Sequence, residues 1–200
     1  RQIREFADGR FSGVVIHSRA GLSIPYMGEE WFNCYRVAIE EAERLGLEVW
    51  IYDEDGWPSG FAGGKVTALG EDYLIKCLEF SYDESGYTDN FVAAWSEENG
   101  KYKEIQNGEA KKGDLVCRYT VDSNYVDLLS AKTVRAFIDS THEVYKAHFG
   151  KYFGNVIKGI FTDEPQLSKY AWSSSLETYW REKYGEDLKS ELYKLILPAD

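Results

Sequence analysis

Cysteine is scarce in this chain of 200 residues, with only Cys34, Cys77 and Cys117. They are widely spaced, odd in number and form no C-x-x-C pair, which excludes a zinc-ribbon motif and a disulfide framework. Buried or half-buried free thiols are the expected state. Long apolar runs are also missing: no stretch approaches the roughly 20 residues that span a bilayer, and no secretory signal pattern is visible. No Lys/Arg-rich run occurs, and the formal net charge is -11. That argues against nucleic acid and against an anionic membrane surface as partners. Only three histidines are present, and none lies at a ligand spacing such as H-x-H from His17. A metal-dependent amidohydrolase is therefore disfavoured, as is a Ser or Cys nucleophile, since neither G-x-S-x-G nor a Cys/His pairing is found. The glycines match neither a phosphate-binding loop nor G-x-G-x-x-G.

Aromatic residues are plentiful: 15 Tyr, 10 Phe and 6 Trp. Such rings serve either a core or a carbohydrate site, where flat faces cover the apolar faces of sugars. Composition alone favours the core.

Along the chain, Ile3, Phe6 and Ala7 have helical spacing, stopped by Gly9. The chain opens in mid-helix at Arg1 without a Met, and is read as an excised portion of a longer protein. Gly13-Val-Val-Ile16 has the short apolar pattern of a buried parallel strand. Residues 29–45 follow as an amphipathic helix with Phe32, Tyr35, Ile39, Ala42 and Leu45 on one face and Gly46 as its stop. Leu47-Glu-Val-Trp-Ile51 is the next strand, completing a βαβ unit. A glycine-rich loop, residues 55–64, then leads into about fifty residues of β pattern with a hairpin signal at Asn99-Gly100. Helical spacing returns at Val134, Phe137, Ile138, Thr141, Val144 and Tyr145. Val156-Ile-Lys-Gly-Ile-Phe161 reads as a third buried strand, and Leu176, Tyr179 and Trp180 mark a last helix.

Strand–helix alternation of this kind predicts an α/β fold, a partial (β/α)8 TIM-type barrel with a small antiparallel β insertion. The expected divisions are 1–69 for the first βα units, 70–125 for the insertion and 126–200 for a further βα unit. An open doubly wound sheet fits the same count. An incomplete barrel would expose sheet edges, so self-association is expected of the isolated piece.

All three strands end in polar clusters at their C-termini, where active sites of parallel α/β folds lie. The first delivers His17 and Arg19, suited to sugar hydroxyls or a carboxylate. The second delivers Tyr52, Asp53, Glu54 and Asp55, and the third Thr162, Asp163 and Glu164. Carboxylates dominate, as glycoside hydrolysis requires: one proton donor and one nucleophile or base. Strand alternation aims only one of Asp163 and Glu164 into a site. Glu164, next to Pro165, is the first choice for acid/base, with Asp163 as the other catalytic candidate. Either could instead cap the following helix. Asp53, Asp55 and His17 are candidates for positioning a substrate, and Trp57 and Tyr26 for stacking on it. Trp57 and Phe61 could equally pack the loop down. The carboxylates of residues 53–55 could alternatively hold calcium, without EF-hand spacing. His142 and His148 read as structural or solvent-facing. A Schiff-base aldolase would want a lysine at a strand end, whereas Lys158 lies at a strand start.

The runs Gly13-Val-Val-Ile-His-Ser-Arg-Ala-Gly-Leu22, Glu48-Val-Trp-Ile-Tyr-Asp-Glu-Asp-Gly-Trp-Pro-Ser-Gly-Phe-Ala-Gly-Gly64 and Lys158-Gly-Ile-Phe-Thr-Asp-Glu-Pro165, in this order, resemble the barrel of the α-L-rhamnosidases of glycoside hydrolase family 106 and their relatives. The resemblance implies a bacterial enzyme acting on plant or host glycans, with a TIM-type barrel followed by β-rich accessory domains. It also implies calcium assistance, and Glu164 as acid or base with its partner on a later strand. Asp-Glu-Pro further resembles the acid/base motif of retaining barrel hydrolases, which have Asn where this chain has Asp163. Retention and inversion both stay open, to be separated by the distance between the two carboxyl groups. A carbohydrate-binding protein without catalysis is the alternative.

Overall fold

The computed structural model describes residues 1–197. The chain divides into two compact units, one of Arg1–Leu69 with Lys132–Gln166, the other of Gly70–Ala131 with the residues from Leu167 onward.

The first unit is built on a three-stranded parallel sheet of order β1-β2-β7, with β1 Gly13–Ile16, β2 Glu48–Tyr52 and β7 Ile157–Phe161. The register pairs Ile16 with Ile51 and Tyr52 with Phe161. Helix α1 (Gln2–Asp8) precedes β1, and α2 (Glu29–Leu45) crosses from β1 to β2. Its buried residues Trp31, Phe32, Tyr35, Ile39 and Ala42 recur at helical spacing and face Val49 and Ile51 of the sheet. Gly46 ends it in the left-handed conformation, φ 70°, where its N–H reaches back to Ala42 and Glu43. The return to β7 runs through α3 (Ala131–Ser140) and α4 (His142–Phe149). The one helical face expected there is broken at Thr141, with φ -127° and ψ -77°, yet Phe137, Thr141, Tyr145 and Phe149 stay buried at four-residue spacing.

The second unit is an antiparallel sheet of order β5-β4-β6-β3-β8, curled into a half-barrel. Its strands are β3 Leu74–Ser81, β4 Phe91–Glu98, β5 Lys101–Ile105, β6 Leu115–Val126 and the short β8 Ala171–Trp172. Asn99 and Gly100, both at positive φ, form the two-residue turn between β4 and β5, as a hairpin of this length requires. Leu78, Val92, Trp95, Leu115 and Cys117 make a core with Trp172, Leu188 and Leu192. Helix α5 (Ser174–Tyr184) and the 3-10 turns of Leu188–Leu195 lie against this sheet.

The partial (β/α)8 barrel expected from the sequence is therefore not what forms. The fold is mixed, a small parallel sheet and a curled antiparallel one, without continuing strand–helix alternation. The physical reason lies after β2 and after β7. Beyond β2 the chain enters the glycine-rich loop and the antiparallel strands. Beyond β7 it makes β8, which pairs antiparallel to β3 (Lys76 with Trp172), and the last helix packs on that sheet with Leu176 and Trp180 while Tyr179 stays exposed. No described helix is long and apolar enough to cross a membrane.

Close approach of β1 to β2 demands glycine at position 13: a Cβ there would lie 2.7 Å from the Glu48 carbonyl oxygen. Gly13→Ala is expected to destabilise the chain by about 1–3 kcal/mol in urea unfolding. Gly56→Ala, where a Cβ meets nothing within 4 Å, should leave the midpoint unchanged; equal effects would contradict the register.

Candidate functional site

The strand ends are organised by Glu54, immediately after β2. Its side chain is fully buried, and its carboxylate accepts backbone N–H groups of Asp55 (2.9 Å), Gly60 (3.1 Å), Phe61 (3.0 Å), Ala62 (2.7 Å) and Gly63. The loop bends its amides inward only because Gly60, Ala62, Gly63 and Gly64 sit at positive φ. Burial pushes the Glu54 carboxyl upward from its usual range, and the backbone donors pull it back. Ser18, after β1, donates its hydroxyl to the carbonyls of Glu54 and Asp55, so the loop is tied to β1 as well.

Asp53 is equally buried and connects β2 to β7. Its Oδ1 accepts the Ser59 hydroxyl at 2.6 Å and its Oδ2 the Thr162 hydroxyl at 2.7 Å. Ser59 Oγ accepts the Asp163 N–H at 2.9 Å, while the Ser59 N–H donates to the Asp163 carbonyl at 2.9 Å. Asp53 thus holds the backbone on which Asp163 is presented. His142 comes to 3.8 Å from Asp53 Oδ2 through Nε2. The Thr141 hydroxyl has one proton and donates it to the Phe137 carbonyl at 2.7 Å, so at 2.9 Å it accepts from His142 Nδ1–H. This leaves Nε2 of the neutral ring as a proton acceptor beside Asp53. Burial lowers the His142 pKa, with Asp53 and Glu143 acting in the opposite sense.

An open groove of about 480 Å³ lies at the same strand ends, lined by Val15, His17, Arg19, Tyr52, Phe161 and Asp163, a size suited to a small ligand. His17, Tyr52 and Phe161 form a row of stacked rings across the three strands: 3.5 Å between the first two centroids, 5.9 Å between the next two. Burial lowers the His17 pKa, as does the Arg19 charge, against a raising effect of Asp163. The Tyr52 hydroxyl lies 2.8 Å from Asp163 Oδ2 and 3.0 Å from the Gly56 carbonyl oxygen. Its pKa is raised well beyond the ordinary tyrosine range, by burial first and then by Asp163. With one proton and two acceptors, the hydroxyl fits both states of the carboxyl. Ionised Asp163 receives the Tyr52 proton; protonated Asp163 donates to Tyr52, which then donates to Gly56.

Of the two adjacent carboxylates, the groove receives Asp163. Glu164 is exposed, at a left-handed φ of 41° that costs a non-glycine residue roughly 1 kcal/mol, and accepts the Trp57 indole N–H at 3.2 Å. Trp57 is 53 % exposed. Tyr26 is a support rather than a stacking surface: its hydroxyl donates to the Asp53 carbonyl and its ring packs edge-on against Trp31. Asp55 offers Ser18 its carbonyl and does not line the groove. The reading of residues 53–55 as a calcium site finds no support, because the Asp53 and Glu54 oxygens are taken by hydroxyls and backbone amides. Among the described residues no group of three or more His, Cys, Asp and Glu side chains could hold a metal ion. His148 stacks on Phe32 at 3.8 Å as a packing residue. Cys34, Cys77 and Cys117 are free, and burial pushes the Cys117 thiol up to about 12.

Sequence reasoning missed Ser59, His142 and Phe161 as parts of this cluster. Only for Phe161 was there a signal, since alternation along β7 puts it on the face of Asp163. A larger hollow of about 1180 Å³ lies between α1, α2 and the open edge of β1. Its lining includes Phe6, Leu22 and Val37, and it shares Val15, His17 and Arg19 with the groove.

Glu54→Gln should cost about 3 kcal/mol or more in chemical denaturation, since a neutral amide presents one acceptor oxygen where two ionised ones serve five donors. A loss under about 1 kcal/mol would remove the loop-organising role. For His17 and His142 the folded pKa lies below the unfolded value, so the unfolded chain binds more protons on acidification. Stability should be full above about pH 6.5 and decline as the pH falls below it, with His142→Gln flattening that slope. An unfolding midpoint constant through this window would contradict it. Comparison of the chain with known protein families, with characterised proteins and with solved structures finds no match, so the geometry of the strand ends carries the functional reading.

Proposed function

We propose that the chain carries the carboxylate side of a glycoside-hydrolysing site, with Asp163 as the acid/base group of the groove. The observation that carries this reading is the Tyr52–Asp163 pair, 2.8 Å apart on the wall of a groove lined by stacked rings. A general acid/base must exchange a proton at the glycosidic oxygen or an attacking water, and be stable in both states. Tyr52 meets that need by reversing its hydrogen bond without moving a heavy atom. Asp53 and Ser59 hold the Asp163 backbone still, and the half-exposed Phe161 gives the groove an apolar surface beside it. The exposed Trp57 indole, hydrogen-bonded to Glu164, is available to cover a further sugar face. The resemblance to glycoside hydrolase family 106 puts α-L-rhamnosides on the panel of glycosides to try.

A second reading, carbohydrate binding without turnover, has one observation in its favour: among the described residues the groove is lined by a single carboxylate, whereas hydrolysis uses two.

The test is turnover of aryl glycosides by the intact protein and its variants. Asp163→Asn should lower kcat by about 10²–10⁴-fold in a folded protein. Tyr52→Phe should reduce kcat less and shift a limb of the pH–rate profile. If Glu164→Gln is the inactive variant and Asp163→Asn is active, the chemistry belongs to Glu164. Sugar binding without turnover on any glycoside would establish the second reading.

A further inference from the structure

We infer that the groove selects a sugar bearing a carboxylate, a uronic acid unit, and that Arg19 is the residue that recognises it. This rests on the carbohydrate reading above and names the substrate class for the same site. Arg19 is the one lysine or arginine lining the groove. In a chain with 34 acidic residues against 23 basic ones, its guanidinium makes no ion pair among the described residues. Asp163, the acidic residue lining the same groove, is engaged by Tyr52. His17 adds no second cation, because burial and the Arg19 charge hold its pKa down.

The register sets the backbone positions from which the two charges extend. Ile16 pairs with Ile51, and Tyr52 with Phe161, so His17, Tyr52 and Phe161 lie in one row. Arg19 and Asp163 each follow two residues later on the two outer strands. Two strand spacings of about 4.8 Å put their backbones roughly 10 Å apart, just past the ring row. A pyranose lying across that row can offer a carboxylate to the guanidinium at one end and its glycosidic bond to Asp163 at the other. The planar fork of five N–H donors matches a carboxylate in a way that a hydroxyl does not. The net charge of -11 repels anions in general, so retention of a uronate requires such a local cation.

Calorimetric or NMR titration of the folded chain with the methyl glycosides of D-glucuronate and D-galacturonate, beside those of D-glucose and D-galactose, tests this. The uronides should bind at least about ten-fold tighter than the neutral sugars, and Arg19→Met should abolish that preference. Arg19 is exposed, so the variant should fold, as circular dichroism will check. Equal binding of uronide and neutral sugar would overturn the inference and leave the carbohydrate reading standing, as would a uronide preference that survives in Arg19→Met. Acetate competing as well as the uronides would reduce the site to a bare carboxylate hook and overturn it too. Binding of neither sugar class would overturn both readings.

Discussion

A buried carboxylate surrounded by the amides of its own following loop is the constraint on which the strand ends depend. Residues 55–64 have few apolar side chains with which to bury themselves, and their backbone N–H groups would be orphaned against the sheet without an acceptor. Glu54 supplies it, taking five N–H donors on two oxygens. The exchange is mutual: a buried anion needs donors as much as buried donors need an anion. Because Glu54 directly follows β2, the loop is fixed relative to the sheet, and Ser18 extends that fixation to β1.

Asp53, one residue earlier, does for β7 what Glu54 does for the loop. Its two oxygens hold Ser59 of the loop and Thr162 of the strand end, and through Ser59 they set the backbone of Asp163. Consecutive acidic residues thus serve internal order, and the groove receives its carboxylate from the neighbouring strand. This division explains why a cluster of three carboxylates, which on composition could hold a cation, does not converge on one. It also leaves Asp163 in a setting where a tyrosine hydroxyl and a backbone carbonyl accommodate both of its protonation states.

The parallel sheet is small, and both β1 and β7 lack a further neighbour among the described residues. Val15, Trp50 and Phe161 are about half exposed on the face opposite α2. Gly159 permits the Trp50 indole to lie over β7, since a Cβ there would fall 2.5 Å from the ring. The same face, at its C-terminal end, becomes the ring row of the groove. The apolar face of the sheet and the groove at its end are therefore one continuous feature.

Hydrophobic period and turn chemistry were enough to place the three parallel strands, the α2 crossover with its Gly46 stop, the Asn99-Gly100 hairpin and the general location of the polar cluster. These are local properties: side-chain spacing and backbone permissiveness act within a few residues. The barrel expectation failed because strand–helix order does not say which sheet a later strand joins; β8 and α5 went to the antiparallel sheet through pairing with β3 and burial against Leu78 and Trp95. Inside the site, sequence could show that only one of Asp163 and Glu164 would face the groove but not which. That was decided by hydrogen bonds from residues about a hundred positions away, Ser59 and Tyr52, and by the indole of Trp57 drawing Glu164 to the rim. His142, nearly ninety positions from Asp53, reached it only through the break at Thr141. The sequence by itself determined which residues would sit at strand ends; the tertiary structure decided which buried donors each carboxylate would meet, and so which remained for a ligand.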